Sequence, residues 1–139
     1  MTVPSTSSPD EEPRPFRVAV LDYAVATDLD PLPVRAIYAR HDLKEAEALI
    51  CTALEDIARR LSLLTALHGR AELDRMKPLA ASLETRARAL GLGEVALAAG
   101  HVGVCAGQRG TVALSAVLLR LERAFDAAIS DIWALRDAP

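Results

Sequence analysis

Aromatic side chains are scarce in this chain of 139 residues: they make up 4% of it, and Trp133 is the single tryptophan. Sheets favour β-branched and aromatic residues, so an interior short of aromatics points to close-packed helices built from Leu, Ala, Val and Ile. Cysteine is equally thin. Cys51 and Cys105 lie far apart inside apolar patterns, and no Cys-x-x-Cys, His-x-x-x-His or Glu-x-x-His spacing occurs. No metal site or disulfide framework is expected, and both thiols read as small core hydrophobes. No apolar run approaches the roughly 20 residues of a membrane span. Met1 to Pro15 holds no apolar stretch of secretory type, so the expectation is a soluble cytoplasmic protein. Positive charge is not in excess either. The 16 Lys and Arg are interspersed with 19 Asp and Glu for a net charge of -3, which lacks the footprint of a nucleic-acid binder.

What is present is 51% hydrophobic residues in a length suited to one core. Residues 1–15 are Ser, Thr, Pro and acidic residues, a composition that buries too little to offset its ordering entropy, and a disordered tail is expected there. Phe16 to Tyr23 alternates in part with period two, as a short strand or an extended arm would. Pro31 and Pro33 punctuate the next stretch and leave at most a short helix over Val34 to Ala39.

Four longer helical patterns occupy the rest of the chain. Asp42 is placed to cap a helix reaching about Leu67, with Glu45 completing a capping box and Gly69 closing it. Its stripe is Ala46, Leu49, Ile50, Ala53, Leu54, Ile57, Leu61, Leu64 and Leu67. The next runs over about Ala71 to Leu90 with Leu73, Met76, Ala80, Leu83, Ala87 and Leu90 inward; starting there, Pro78 would kink it. At 100° per residue Lys77, Ala81, Glu84, Thr85 and Arg88 share the opposite side. A shorter helix over about Glu94 to Ala106 turns Val95, Ala96, Ala99, Val102, Gly103 and Ala106 inward, and Gly107 to Gly110 make a loop. The last, Thr111 to about Arg136, carries Leu114, Leu118, Leu121, Phe125, Ala128, Ile132 and Leu135 at alternating spacings of four and three, with Trp133 as a core anchor. Such a seam implies near-antiparallel packing. The fold expected is all-α: an antiparallel four-helix bundle over residues 42–139, preceded by an extended arm and short helix over 16–41.

The stretch from Ala80 to Leu92 resembles the active helix of the histidine-containing phosphotransfer (HPt) domain family, whose pattern is a histidine, any residue, leucine, lysine, glycine, a small-residue continuation and a closing leucine-glycine. Leu83, Ala87, Leu90 and Gly91 fall at matching places. The phosphoaccepting position falls on Ala81, the supporting lysine on Glu84 and the glycine that clears space for a partner on Thr85. The order of helices over roughly Asp42 to Leu135 is also the HPt order. The resemblance implies an interaction module that docks a response-regulator receiver domain or a histidine kinase through the Lys77, Ala81, Glu84, Thr85 and Arg88 side, without passing phosphate. A methyl group cannot attack an aspartyl phosphate, and a carboxylate at position 84 repels one.

The histidines offer a rival reading, in which His101 or His68 is a relocated phosphoacceptor. His101 lacks the leucine-lysine-glycine continuation, and His68, in a helix's last turn, and His41, before a cap, are explained by their positions. The arginines Arg59, Arg60, Arg70, Arg75, Arg86 and Arg88 with Lys77 read as a solvated face or as a surface for an acidic partner. A third reading is structural: a bundle that forms a homodimer by its arm or by its heptad seam.

Overall fold

In the computed structural model, which describes residues 29–137, five helices account for nearly the whole fold. They are α1 Leu32–Arg40, α2 Leu43–Gly69, α3 Leu73–Ala89, α4 Gly93–Gln108 and α5 Thr111–Arg136. The expected tail over 1–15 and the Phe16 to Tyr23 arm lie outside the described residues.

Helix α1 begins two residues earlier than its sequence suggests. Pro33 sits in the first turn, where its missing N–H would have had no partner anyway, and the Asp30 carboxylate accepts from Leu32 N at 3.1 Å. The α2 cap is as expected on one side: Asp42 Oδ1 accepts from Glu45 N at 2.8 Å. The reciprocal half of the capping box is absent, because Glu45 turns its carboxylate to His41 Nδ1 at 3.2 Å.

Three helix ends close by the same device, in which a left-handed residue lets two N–H groups reach back to the last turn. After α2, Ala71 N donates to the His68 carbonyl and Glu72 N to the Leu67 carbonyl, with Ala71 at φ 57°. The stop is therefore Ala71, not Gly69, and a helix cannot start at Ala71 as the sequence suggests. Helix α3 starts two residues later, at Leu73, with Pro78 inside it. After α3, Gly91 takes the left-handed position at φ 84°, with Leu92 N on the Ala87 carbonyl at 2.8 Å. After α4 the position is held by Arg109 at φ 57°, so the helix runs on to Gln108 and only Arg109 and Gly110 separate it from α5. The loop expected over residues 107–110 is half helix.

Leu29 makes an antiparallel bridge with Leu92, and Asp30 N donates to the Gly91 carbonyl at 2.8 Å. This ties the incoming chain to the α3–α4 turn. A Cβ on Gly91 would stand 2.2 Å from the Asp30 carbonyl oxygen, so both the backbone angle and the space demand glycine.

One continuous core joins all five helices, from Val34 of α1 to Ile132 of α5. Helix α4 packs most extensively on α3 and next on α5, while α2 packs on α3. Between α2 and α3, Asp56 meets Arg86 and Arg60 meets Ser82; between α2 and α5, Glu47 meets Arg136, Thr65 meets Glu122 and His68 meets Ser115. In each of these pairs one helix's residues rise in number as the other's fall.

The apolar stripes go inward with few exceptions. Leu49 of α2 is 44% exposed and Ala53 is half-buried, because the contacting stripe of α2 is narrower than its apolar content. In α4, Ala98 is buried in addition to the expected residues, and Gly103 is half-buried. In α5 the residues Leu114 to Ile132 of the seam are buried within the chain, so this seam is not a free face for a second copy; Leu135 is half-buried. Both thiols depart from the core assignment, since Cys51 is exposed and Cys105 only half-buried against the core. Trp133 packs against the core while half-buried. No helix among the described residues is long and apolar enough to cross a membrane.

Candidate functional site

The side of α3 away from its buried stripe carries Lys77, Ala81, Glu84, Thr85 and Arg88 together. Four of them are exposed and Glu84 is half-buried. The five are brought together by one helix's periodicity, as the spacing requires.

Three of the five, Lys77, Ala81 and Glu84, form one wall of a groove of about 440 Å³ between α3 and α4. The other wall is α4 backbone laid bare by Gly100, Gly103 and Gly107, with Val104 and Gln108 at the edge. A Cβ on Gly100 would stand 3.4 Å from Glu84 Oε1, one on Gly103 3.7 Å from Ala80 Cβ, and one on Gly107 3.8 Å from Lys77 Nζ. A methyl at any of the three would thus meet the α3 side chains at ordinary contact distance. Glycines cost about 1 kcal/mol each inside a helix relative to Ala, and here they leave the α4 side of the groove with few side chains. Sequence reasoning finds the α3 side of this groove and misses the α4 side, although the Gly100, Gly103, Gly107 spacing of three and four is a signal that one face of α4 has no side chains.

Of the polar side chains lining the groove, Glu84 is paired. Glu84 Oε2 accepts from Arg88 Nη2 at 2.6 Å, an exposed pair one helical turn apart. Thr85 Oγ1 donates back to the Ala81 carbonyl at 3.1 Å, which holds the hydroxyl against its own helix. Glu84 therefore presents a compensated charge instead of a bare carboxylate, and Lys77 supplies a cation at the other end. Among the described residues the lining contains no imidazole and no thiol. It offers a small-residue cleft with Lys77 and Glu84 as its charged groups.

The histidines stand elsewhere. His101 is exposed on α4, and its Nδ1 accepts from Arg120 Nη1 at 2.9 Å while Arg120 also reaches Glu94. A guanidinium is donor only, so the neutral ring carries its proton on Nε2. His68 Nε2 lies 3.3 Å from Ser115 Oγ, across the α2–α5 contact. Neither ring lines the α3–α4 groove. Among the described residues no three of His, Cys, Asp and Glu gather as metal ligands.

Comparisons with protein-family models, with curated proteins and with solved structures return no match. The chemistry available to the site is consequently read from the groove itself.

Two ion-pair clusters flank this region. Asp56 of α2 accepts from Arg86 Nε at 2.6 Å, from Arg60, and more distantly from Arg59 at 3.5 Å. Arg86 foremost, then Arg60, holds the Asp56 carboxyl below its usual range. At the start of α3, Glu72 is held low in the same way by Arg70 and then Arg75. Of these pairs only Arg86–Asp56 crosses from α3 to α2; the others lie within α2 or around the α2–α3 turn.

Proposed function

We propose that the chain is an HPt-like antiparallel four-helix bundle that binds a response-regulator receiver domain or a histidine kinase without passing phosphate, as a decoy or adaptor in a phosphorelay. The docking side is Lys77, Ala81, Glu84, Thr85 and Arg88. The observation that carries this reading is Ala81: an exposed methyl on the wall of a glycine-floored groove, at the place where the resemblance puts an imidazole. The opposed order of contacts between α2 and α3 and between α2 and α5 supports the antiparallel arrangement.

A bundle of this kind keeps the recognition half of phosphotransfer and loses the covalent half. A partner helix seated on Ala81 and the α4 glycines finds apolar contact and a cleft wide enough to enter. The aspartyl phosphate of a receiver would find no nucleophile there.

The test uses the purified full chain and receiver and kinase domains from the same genome, measured by calorimetry. Ala81→Asp buries a charge under any docked partner, and Thr85→Arg sets a bulky cation on the docking side beside the groove; each should abolish binding while circular dichroism stays unchanged. Affinity unaffected by both substitutions would rule this surface out.

A further inference from the structure

A second groove lies on the opposite flank of α3, against α2, and its charge is one-sided. Its floor is Leu63 and Leu67 of α2 with Pro78 and Leu79 of α3, and its rim is Arg59, Arg60 and Arg75. The spacing explains the shape: residues 59, 60, 63 and 67 follow one stripe of α2, and 75, 78, 79 and 82 follow one stripe of α3. Among the described residues no carboxylate lines it. Leu63 is 43% exposed, which leaves an apolar side chain open to water in the middle of the cleft.

The surrounding ion pairs leave the arginines in surplus. Arg59, Arg60 and Arg86 converge on the one carboxylate of Asp56, and Arg70 and Arg75 on that of Glu72. Five guanidiniums thus share two carboxylates, in a chain whose net charge is -3. Of the three rim arginines, Arg59 and Arg75 have the more exposed side chains, at 70% and 64%. Arg59 meets its carboxylate only at 3.5 Å, and Arg75 shares Glu72 with Arg70. Guanidiniums in this state are available to make paired N–H contacts with a further carboxylate.

We propose that this α2–α3 groove docks an acidic amphipathic segment of a partner protein, its carboxylates on Arg59 and Arg75 and its apolar side chains on Leu63, Leu67 and Leu79. The groove follows α2 for about 12 Å, the length of two helical turns. This site is independent of the α3–α4 groove and stands whether or not a receiver domain binds there.

The full chain is titrated, by fluorescence anisotropy, with a labelled amphipathic helical peptide carrying Glu on one stripe and Leu on the other, and with its Lys-for-Glu counterpart. The Glu peptide should bind. Its affinity should fall about tenfold in the double variant Arg59→Ala with Arg75→Ala, from the loss of two exposed ion pairs. It should also fall as salt rises from about 20 to about 300 mM. Leu63→Ser should weaken binding without changing the salt slope. Both arginines are exposed, so their removal leaves the fold intact. Equal binding of the Lys peptide, indifference to the double arginine variant, or no binding of the Glu peptide would overturn the proposal. The chain carries its own acidic stretch, Asp10 to Glu12. Should replacing those three by their amides raise the affinity for the Glu peptide, the occupant would be this chain itself, and the assignment to a partner would fail.

Discussion

Gly91→Ala is the substitution with the largest effect for the smallest change in this fold. The residue is at φ 84°, where an alanine costs about 1 to 2 kcal/mol. Its new Cβ would stand 2.2 Å from the Asp30 carbonyl oxygen. That oxygen belongs to backbone and cannot swing aside as a side chain would. Relief requires lifting Leu29 and Asp30 from the turn, which breaks the Asp30 N to Gly91 O hydrogen bond, worth about 1 kcal/mol, and the Leu29–Leu92 bridge. Against this, alanine narrows the unfolded ensemble by about 0.5 kcal/mol. The expected net loss is about 2 to 3 kcal/mol, read as a lower urea midpoint at unchanged slope and a melting temperature reduced by roughly 10 °C. Gly69→Ala is the control: it has an ordinary helical backbone angle and nothing within 4 Å of its Cβ, and it should stabilise by about 0.5 kcal/mol. A Gly91→Ala protein within about 0.5 kcal/mol of the parent would refute the crossing of the chain over this turn.

Three further outcomes rest on the same geometry. Ala71→Gly relieves a left-handed alanine after α2 and should raise stability by about 1 kcal/mol in urea titrations; a loss would show that Ala71 is not in that conformation. Tyr38→Phe should stabilise by about 1 kcal/mol, because among the described residues the buried Tyr38 hydroxyl has no hydrogen-bond partner, and a loss of similar size would reveal one. Asp56, held low by Arg86 and then Arg60, contributes stability that is present above the ordinary carboxylate range and lost as pH falls through its depressed folded value. The parent's urea midpoint should therefore drop more steeply than that of Asp56→Asn between about pH 5 and pH 2, and parallel curves would contradict the pairing.

Much of the architecture is legible in the sequence because helices advertise themselves by period. The α5 seam, with Leu114, Leu118, Leu121, Phe125, Ala128 and Ile132, can be read residue by residue, and so can the inward side of α3. Ends are harder. A glycine marks the neighbourhood of a helix stop, but the left-handed residue itself is Ala71 after α2 and Arg109 after α4, since tertiary closure of the turn outweighs the modest strain of a side chain there. Cys51 escapes its pattern for a similar reason: its helix has more apolar residues than its neighbours can cover, and one of them has to face water. The α3 side of the candidate groove comes from spacing alone. Its α4 side depends on which helix lies beside α3, a tertiary fact that no single helix's pattern contains, and the same holds for the arginines gathered around Asp56 from both α2 and α3.

The proposal that α3 keeps a phosphotransfer-like scaffold without its chemistry is tested most directly by restoring the chemistry. The triple variant Ala81→His, Glu84→Lys and Thr85→Gly is incubated with phosphorylated receiver domains, and acid-labile phosphate on the bundle is measured. Label is expected on the triple variant and none on the parent or on the variant lacking Ala81→His. A folded triple variant that receives no phosphate from any receiver, or a parent that is labelled and loses the label on His101→Ala, would contradict the claim.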